Sequence, residues 1–323
     1  MKATIIIPTY NGEKYLNEIL KAINKQIYDK FEVLIIDSGS TDKTIQIIKR
    51  AQKTQKNIIL HEIPNSEFGH GKTRNLAANM ANGEYLVFIS HDAVPAHKYW
   101  LYEITKPFEI NEKIVGVLGR QTARPGCFPL LKYEIRHVFD KLGSEYGTVL
   151  FYNDKFANRI HIQDTLSFYS DVNSATRRDF LVNVLPYKDV PYSEDQIFGR
   201  EIIKAGYIKA YAPRARVHHS NDMELDEYKH RMFDEIIGLK RSGAKIQKVS
   251  ILGLIKRVVI GSAHDSFRII IDNDFSIKRK LYWLLVNPIY HFEKWRGVRL
   301  ASRTAINDYE AHDSHSLEKI RKR

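Results

Sequence analysis

Cysteine is nearly missing from this sequence of 323 residues, in which Cys127 is the single one. One thiol can form neither an internal disulfide framework nor a cysteine-built zinc site, because both need several sulfur atoms. No stretch of the sequence is apolar and long enough to cross a bilayer, and the best candidate, residues 251–263, is interrupted by Lys256 and Arg257. The apolar run that begins the chain is too short for a signal peptide. We therefore expect a protein of the reducing cytosol.

Acidic residues are scarce in the last quarter of the chain. From Lys240 onward the sequence has 18 Lys/Arg against 8 Asp/Glu, so this part carries +10 of the net charge of +12. A basic surface confined to one part of a chain indicates an anionic partner, either lipid headgroups or nucleic acid; the alternative is a solvated basic face without a partner. The tail has no recognisable groove-reading module and no array of stacking aromatics. We therefore expect an anionic membrane surface, and no nucleic acid, as the partner.

What the chain does contain is a regular alternation of strands and helices in its first part. Apolar runs predict strands at residues 4–7, 31–36, 58–60 and 85–89, and helical spacing of apolar residues predicts helices at 13–25, 41–52 and 72–81. We expect Pro8 to end the first strand, because proline cannot continue a central ladder. Apolar strands that alternate with helices predict an α/β fold, with a mostly parallel sheet covered by helices on both faces. From about residue 225 the chain is predicted to be helical.

Polar segments follow three of these predicted strands, at residues 8–12, 37–42 and 90–93. In a parallel α/β sheet, ligands bind in the crevice beyond the carboxyl ends of the strands. Turns alone would place one or two such clusters there by chance. Three clusters therefore predict a binding site at this edge of the sheet.

The first two polar segments, together with the strands before them, carry a family signature. Residues 5–12 read IIIPTYNG, and residues 36–44 read IDSGSTDKT. In this order, at the ends of the first two strands, they resemble the family 2 glycosyltransferases of the GT-A fold. Residues 67–75 (EFGHGKTRN) and 90–95 (SHDAVP) resemble the rhamnosyltransferase-like branch of that family. The resemblance covers about residues 3–222.

The resemblance implies a Rossmann-like, mostly parallel sheet flanked by helices, in a domain of residues 1–225. Its donor half is expected at about 1–115 and its acceptor half at about 116–225, followed by a basic helical C-terminal extension at 226–323. Within that extension, residues 249–260 and 275–285 combine basic clusters with aliphatic and aromatic residues, which suits a helix that lies on lipid headgroups without spanning the bilayer. The alternative is that these apolar residues pack on the catalytic domain.

The polar residues after the first two strands form the predicted nucleotide site. By resemblance, the nucleotide is held by Pro8, Thr9, Tyr10, Asn11 and Asp37. Asp37 can accept a hydrogen bond from a pyrimidine N–H, and Tyr10 can pack against the base. For Asp37 and Asp42 the alternative role is capping of a turn or a helix, which needs no ligand.

Gly71, Arg74 and His91 complete the predicted donor site. Glycine allows close approach of the backbone, the N-terminus of a helix attracts phosphate, and Arg74 can pair with a phosphate or with the base. The alternative for this segment is a flexible loop with a surface arginine. His91 joins the site through the branch-type segment 90–95.

A divalent cation, Mg²⁺ or Mn²⁺, is the expected cofactor, because the departing diphosphate develops charge that a metal with carboxylate ligands can compensate. Many family members have an Asp-X-Asp string after the fourth strand. Here Ser90 replaces the first acid, so the resemblance nominates Asp92 alone. It also nominates His219 as a metal ligand, with His218 as the fallback; both could instead be ordinary histidines at a strand end.

The catalytic base is nominated by the string Ser-Glu-Asp-Gln at residues 193–196. Inverting transfer needs a carboxylate that takes the proton of the acceptor hydroxyl as the new bond forms. By resemblance Asp195 is this base, and Glu194 orients or binds the acceptor. The alternative is an N-capped helix with acids in its first turn.

These observations predict an inverting, metal-dependent glycosyltransferase that uses a nucleotide-sugar donor, with dTDP-rhamnose as the best candidate. The acceptor is expected to be a lipid-linked glycan or a growing surface polysaccharide, at the inner face of the cell membrane, where the protein is peripherally bound. One alternative is a catalytically degraded scaffold that binds nucleotide-sugar or glycan, which Ser90 in place of an acid would favour. A nucleotidyltransferase of similar fold is a further alternative, but the Glu-Asp pair fits it poorly.

Overall fold

The structure, a computed structural model, describes residues 2–153, 165–190, 193–220, 223–241 and 245–321. The chain divides into two compact units. One unit comprises the chain up to Arg124 together with Ile135–Ser220, and the other comprises Pro125–Glu134 together with the chain that follows Ser220. Pro125–Glu134 therefore groups with the second unit, although the first unit surrounds it in chain order.

The strands of the described residues all lie in the first unit. They are β1 (Ala3–Thr9), β2 (Phe31–Asp37), β3 (Ile58–Glu62), β4 (Tyr85–Ile89), β5 (Val94–Pro95), β6 (Ile114–Thr122), β7 (Val149–Phe151), β8 (Asn173–Arg177) and β9 (Ile208–His218). The helices before Ser220 are α1 (Glu13–Asn24), α2 (Thr44–Gln52), α3 (His70–Met80), α4 (Trp100–Thr105), α5 (Pro129–Asp140), α6 (Arg178–Asn183) and α7 (Glu194–Lys204). The first half of α5 belongs to the second unit. Short 3-10 helices lie at Asn65–Glu67 and Lys106–Glu109.

The strands form one sheet in the order β3-β2-β1-β4-β8-β6-β9-β5, and β7 also pairs with β9. Strands β1 to β4 pair in parallel, as do β6 and β9. β8 lies antiparallel between β4 and β6, and β5 and β7 are antiparallel to β9. The sheet is therefore mixed, with four parallel and four antiparallel strand pairs, and the longest runs of pairing are parallel. The predicted α/β class is confirmed.

The side chains of β1 show why helices cover both faces of the sheet. Ile5 and Ile7 are fully buried in a cluster with Leu16 of α1, whereas Ile6 belongs to a second buried cluster with Ala77 of α3. Successive side chains of a strand point to opposite faces, so an unbroken apolar run supplies both clusters at once. This is the physical reason why the run at residues 4–7 predicted a central strand.

Pro8 does not end β1, contrary to the sequence prediction. The strand continues to Thr9, and Pro8 and Thr9 stay in register with Ile36 and Asp37 of β2. The Thr9 carbonyl accepts from the Ser38 N–H on the β2 side, so Pro8 faces the other side, where pairing with β4 has already stopped at Ile6. A missing N–H costs little where the ladder has ended.

The second unit is helical after Ser220. Its helices are α8 (Leu225–Arg241), α9 (Ile251–Ile271), α10 (Ile277–Arg303), α11 (Tyr309–His315) and α12 (Leu317–Arg321). The side chains of Ser250 and Ser276 cap α9 and α10, each accepting a backbone N–H of the first turn. The predicted surface segments 249–260 and 275–285 are therefore the first halves of two helices. No helix in the part of the chain that the structure describes has the length and apolarity to cross a membrane.

Candidate active site

The turn after β2 is ordered by Asp37, which is buried. Its Oδ1 accepts hydrogen bonds from the backbone N–H groups of Gly39 and Ser40, at 3.1 and 2.9 Å. Its Oδ2 accepts from the hydroxyls of Ser40 and Thr9, at 2.5 and 3.1 Å. Each carboxylate oxygen has two lone pairs, so these four bonds use the acceptor capacity of Asp37. Asp37 therefore fills the turn-capping role in this structure, and its contact with a base stays a prediction.

Asn11 connects the loop after β1 to the same turn. Its φ of 49° is left-handed, a conformation that asparagine tolerates better than most residues. Its N–H donates to Ser40 Oγ at 2.8 Å, and its side-chain oxygen accepts the N–H of Thr41 at 2.8 Å. These bonds occupy the residues predicted to start the second helix, so α2 begins at Thr44 instead. Tyr10, beside Asn11, is 43% exposed, and its contact with a base stays a prediction.

Gly71 lies in the first turn of α3, against the backbone of the segment before α7. A Cβ at this position would overlap the carbonyl oxygen of Lys188 and would meet the Cβ of Tyr187 at 3.2 Å. Glycine is therefore required here for packing of the helix against protein backbone. The predicted contact of Gly71 with phosphate stays a prediction.

Arg74 lies between two buried carboxylates. Its Nη1 donates to Glu194 Oε1 at 2.7 Å, and its Nε is 3.1 Å from Asp171 Oδ2. The side chain of Arg74 is 12% exposed, against 1% for Asp171 and 7% for Glu194. In such a desolvated site each charge depends on its partners, because water cannot replace them. The structure thus gives Arg74 carboxylate partners, whereas a phosphate or a base was predicted.

Asp171 is a site residue that the sequence analysis did not single out. Its Oδ1 accepts from Ser174 Oγ at 2.6 Å and from the hydroxyl of Tyr187 at 2.9 Å. Its backbone N–H donates to Asp195 Oδ2 at 3.4 Å. The polar run SDVNS at residues 170–174, which leads into a buried strand, was the signal that could have found it. Polar groups that enter the interior need partners there.

Asp195 lies in the first turn of α7, beside these acids. Burial raises the pKa of Asp195 to about 7; the charges of Asp171 and Glu194 add to this increase, and Arg74 opposes it. A carboxylate that titrates near neutral pH is suited to accept a proton during a reaction. Ser193, at the start of α7, has a left-handed φ of 65° and makes no side-chain capping bond. The alternative of a serine-capped helix start is therefore not what the structure shows.

Asp92 pairs with His219. Asp92 Oδ2 is 3.4 Å from His219 Nε2, and Asp92 Oδ1 accepts from Ser90 Oγ at 2.6 Å. Burial raises the pKa of Asp92, but the hydrogen bond and charge of His219 and the bond from Ser90 outweigh burial, so the pKa lies well below its ordinary value. The second ring nitrogen of His219 is 3.0 Å from Gln121 Oε1, a contact that fixes the orientation of the ring.

The two neighbouring candidates, His218 and His91, have other contacts. His218 Nδ1 is 3.1 Å from Thr122 Oγ1, so its ring is committed to a different partner from that of His219. The ring of His91 packs against Gly12, where an added Cβ would meet it at 3.4 Å. Geometry thus brings His219, rather than its fallback, to Asp92.

Asp92 and His219 supply one carboxylate and one imidazole at adjacent positions. Among the described residues, no group of three or more His, Cys, Asp or Glu side chains is arranged to hold a metal ion. A hard cation such as Mg²⁺ or Mn²⁺ commonly takes only one or two carboxylates from a protein and completes its shell with water and substrate phosphates. The two side chains therefore fit a cation whose other ligands come from a bound diphosphate and from solvent.

One short segment joins the two groups of polar residues. The N–H of Asp171 bonds to Asp195, and the carbonyl of the next residue, Val172, accepts the N–H of Ser90 at 3.3 Å. Ser90 in turn bonds to Asp92. A chain of hydrogen bonds thus links the candidate base to the candidate metal ligand at the end of the sheet where β4 ends and β8 begins. This arrangement can bring a proton acceptor and a cation to one substrate.

Residues 4–185 match the sequence model of the family described as Glycosyl transferase family 2. The chain belongs to this family. The resemblance to the family 2 glycosyltransferases is therefore confirmed, and the protein is a glycosyltransferase by family.

Two curated relatives and one solved structure show how far the similarity extends. The O-antigen chain rhamnosyltransferase RfbN of Salmonella typhimurium is 27% identical, over 93% of this chain and 89% of its own length. The O-antigen chain rhamnosyltransferase WbaN of Salmonella anatum is 30% identical, over 92% and 88%. The mannosyltransferase PcManGT of Pyrobaculum calidifontis, solved with GDP-Man and Mn²⁺, is 20% identical, with a TM-score of 0.56 over 97% of this chain and 74% of that chain. The GT-A fold is confirmed.

Replacement of Arg74 tests the buried ion pairs directly. Arg74→Met should lower the free energy of unfolding by about 3–5 kcal/mol at pH 8, because it leaves buried carboxylates without their cation. Arg74 lowers the pKa of Asp171 and of Asp195, so its loss raises both. An acid whose pKa is higher in the folded than in the unfolded state destabilises the fold increasingly as the pH rises between these two values. The loss of unfolding free energy in Arg74→Met should therefore shrink as the pH falls. Thermal unfolding between pH 5 and pH 8 measures this trend.

Arg136→Met is the matched control. Arg136 forms an exposed i,i+4 pair with Asp140 at 3.5 Å, and such pairs contribute about 1 kcal/mol or less. An Arg74→Met deficit as small as that of the control, or one that grows as the pH falls, would contradict the assigned role.

Proposed function

We propose that this glycosyltransferase moves a sugar, with inversion at the anomeric carbon, from a nucleotide-sugar donor to a lipid-linked glycan or a growing surface polysaccharide. One observation carries the proposal: segment 171–172 joins Asp195, with its pKa of about 7, to Ser90, and the Ser90 hydroxyl bonds to Asp92, which pairs with His219. A base and a cation site at the same end of the sheet suit the displacement of a nucleoside diphosphate.

Asp195 is the proposed base. It accepts the proton of the acceptor hydroxyl while the acceptor oxygen bonds to the anomeric carbon and the bond from that carbon to the diphosphate oxygen breaks. The nucleoside diphosphate leaves with the electron pair, and Asp195 later returns the proton to solvent. Glu194 is proposed to orient or bind the acceptor, and its bond to Arg74 at 2.7 Å holds its carboxylate in position.

The donor is proposed to be dTDP-rhamnose. Support comes from the two relatives that are named O-antigen chain rhamnosyltransferases and that cover nearly the whole chain. Tyr10, which is 43% exposed, is proposed to pack against the base, with Pro8, Thr9, Asn11 and Asp37 on the loop after β1 and the turn after β2. Gly71, Arg74 and His91 lie on the neighbouring elements and are proposed to shape the donor site through their packing and ion pairs.

Mg²⁺ or Mn²⁺ is the proposed cofactor, held by Asp92 and His219. Such an ion, when bound, would neutralise charge on the diphosphate. PcManGT, which shares the fold, was solved with Mn²⁺ and a nucleotide sugar, and this supports a divalent cation here. The pairing of His219 with Asp92 favours that histidine as the second ligand, with Gln121 holding the ring from behind.

We further propose that residues 1–225 form the catalytic domain, with donor and acceptor halves that meet near residue 115, and that the basic extension at 226–323 binds an anionic membrane surface. The charge of +10 from Lys240 onward supports this part of the proposal. A lipid-linked acceptor lies at such a surface, so the protein is proposed to act peripherally on the inner face of the cell membrane, without nucleic acid as a partner.

Replacement of the base gives the first test. Asp195→Asn should lower the rate of rhamnosyl transfer by about 10²–10⁴-fold and leave donor affinity nearly unchanged, because the carboxylate acts on the acceptor proton. The measurement is transfer from dTDP-rhamnose to a lipid-linked acceptor, with donor affinity taken from calorimetry. Asp179→Asn is the matched control, since Asp179 is an exposed acid in the first turn of α6. Turnover of Asp195→Asn within a few-fold of the parent would remove Asp195 as the base.

Replacement of the ligands gives the second test. Asp92→Ala should abolish metal-dependent donor binding, and His219→Ala should weaken it less, because the carboxylate carries the charge. His218→Ala, at the adjacent position, should keep metal affinity close to that of the parent. Calorimetry with Mn²⁺ and with Mg²⁺ measures these differences, and EDTA treatment of the parent should reproduce the Asp92→Ala result. Full transfer activity in EDTA would sink both ligand assignments together.

A further inference from the structure

Helices α9 and α10 form an antiparallel pair with a polar interior. His291 Nε2 of α10 is 3.0 Å from Asp265 Oδ2 of α9, and Asn287 Nδ2 donates to the Ser262 carbonyl at 3.0 Å. All four of these side chains are buried, and a Cβ on Gly261 would overlap the His291 ring. Polar groups and close backbone approach therefore form part of the contact between the two helices.

The outer face of the same pair is apolar. On α9, Leu252 is 79% exposed, Val259 62% and Phe267 62%; on α10, Ile277 is 79% exposed, Leu281 61% and Leu285 78%. The α10 residues recur every four positions and so form one stripe along the helix. A helix pair that faces water has the opposite arrangement, with apolar residues inside and polar residues outside.

The charges of the pair select an anionic surface as the partner. Residues 251–271 and 277–303 contain ten Lys/Arg and two Asp/Glu. Both acids are engaged within the unit, Asp265 with His291 and Glu293 with Arg296 at 3.0 Å. A second copy of the chain would bring the same positive charge to the contact, whereas anionic headgroups complement it.

We infer that the outer apolar face of the α9–α10 pair inserts among the acyl chains of an anionic bilayer, with the basic side chains at its edges on the headgroups. The inference rests on the proposed membrane function and deepens it, since it assigns the contact to one face of one helix pair. The polar contacts between α9 and α10 then face away from the lipid. Helices that contact lipid keep their polar groups on such inward faces. The pair lies in the interface and does not span it.

The test is sedimentation of the full chain with vesicles of phosphatidylcholine alone or mixed with phosphatidylglycerol. The parent should bind the mixed vesicles. The fourfold variant Val259→Ser, Phe267→Ser, Leu281→Ser, Leu285→Ser should lose about tenfold or more of this affinity. Its thermal unfolding should stay that of the parent, because all four side chains are exposed. Ile110→Ser with Val184→Ser is the matched control, as these residues are 57% and 54% exposed in the first unit, and it should bind as the parent does.

Two results would overturn the inference: mixed vesicles that do not bind the parent, or a fourfold variant that binds them as well as the parent does. A parent that forms dimers, which the fourfold variant breaks, and that binds no vesicles would assign the face to a second copy instead. Transfer to a water-soluble acceptor separates this inference from the proposed chemistry. That activity should survive in the fourfold variant, and Asp195→Asn should still sediment with vesicles.

Discussion

The Arg74 guanidinium holds two buried carboxylates together, and the edge of the sheet that bears the candidate site depends on this contact. Asp171 reaches it from the segment before β8, Glu194 from the start of α7, and Arg74 itself from α3. Three elements that are distant in sequence are thus joined by one cation. Because these charges are desolvated, removal of one partner lowers the stability of the fold far more than removal of one partner of an exposed ion pair.

The same contact explains why Asp195 differs from an ordinary surface acid. Asp195 lies next to Glu194 in the chain and accepts a hydrogen bond from the N–H of Asp171. Both neighbouring carboxylates therefore raise its pKa. Burial and these charges raise the pKa of Asp195 to about 7, while the charge of Arg74 acts in the opposite direction. Gly71 has a part in this, because its lack of a side chain lets α3 pack against Lys188, close to Tyr187, which donates to Asp171.

Local patterns were enough to predict the sheet, since runs such as residues 4–7 record burial on both faces of a strand. The strings after β1 and β2 predicted the family, which the match over residues 4–185 confirms. They could not predict that Arg74 pairs with Asp171 and Glu194. Those partners are 97 and 120 positions away, and the residues around Arg74 do not indicate which distant residues will contact it. The prediction that Pro8 ends β1 was wrong for a related reason. The position at which β1 stops pairing with β4 depends on β4, and the sequence around Pro8 does not show it.

The pH dependence of kcat/KM, measured for the parent and for Asp171→Asn, tests this account most directly. In the parent, the rate should rise with pH as Asp195 loses its proton, with a midpoint near pH 7. Asp171 raises the pKa of Asp195, so removal of its charge should move that midpoint to lower pH, while an effect on folding alone would lower the rate without moving it. A midpoint that stays in place, or that moves to higher pH, would contradict the account.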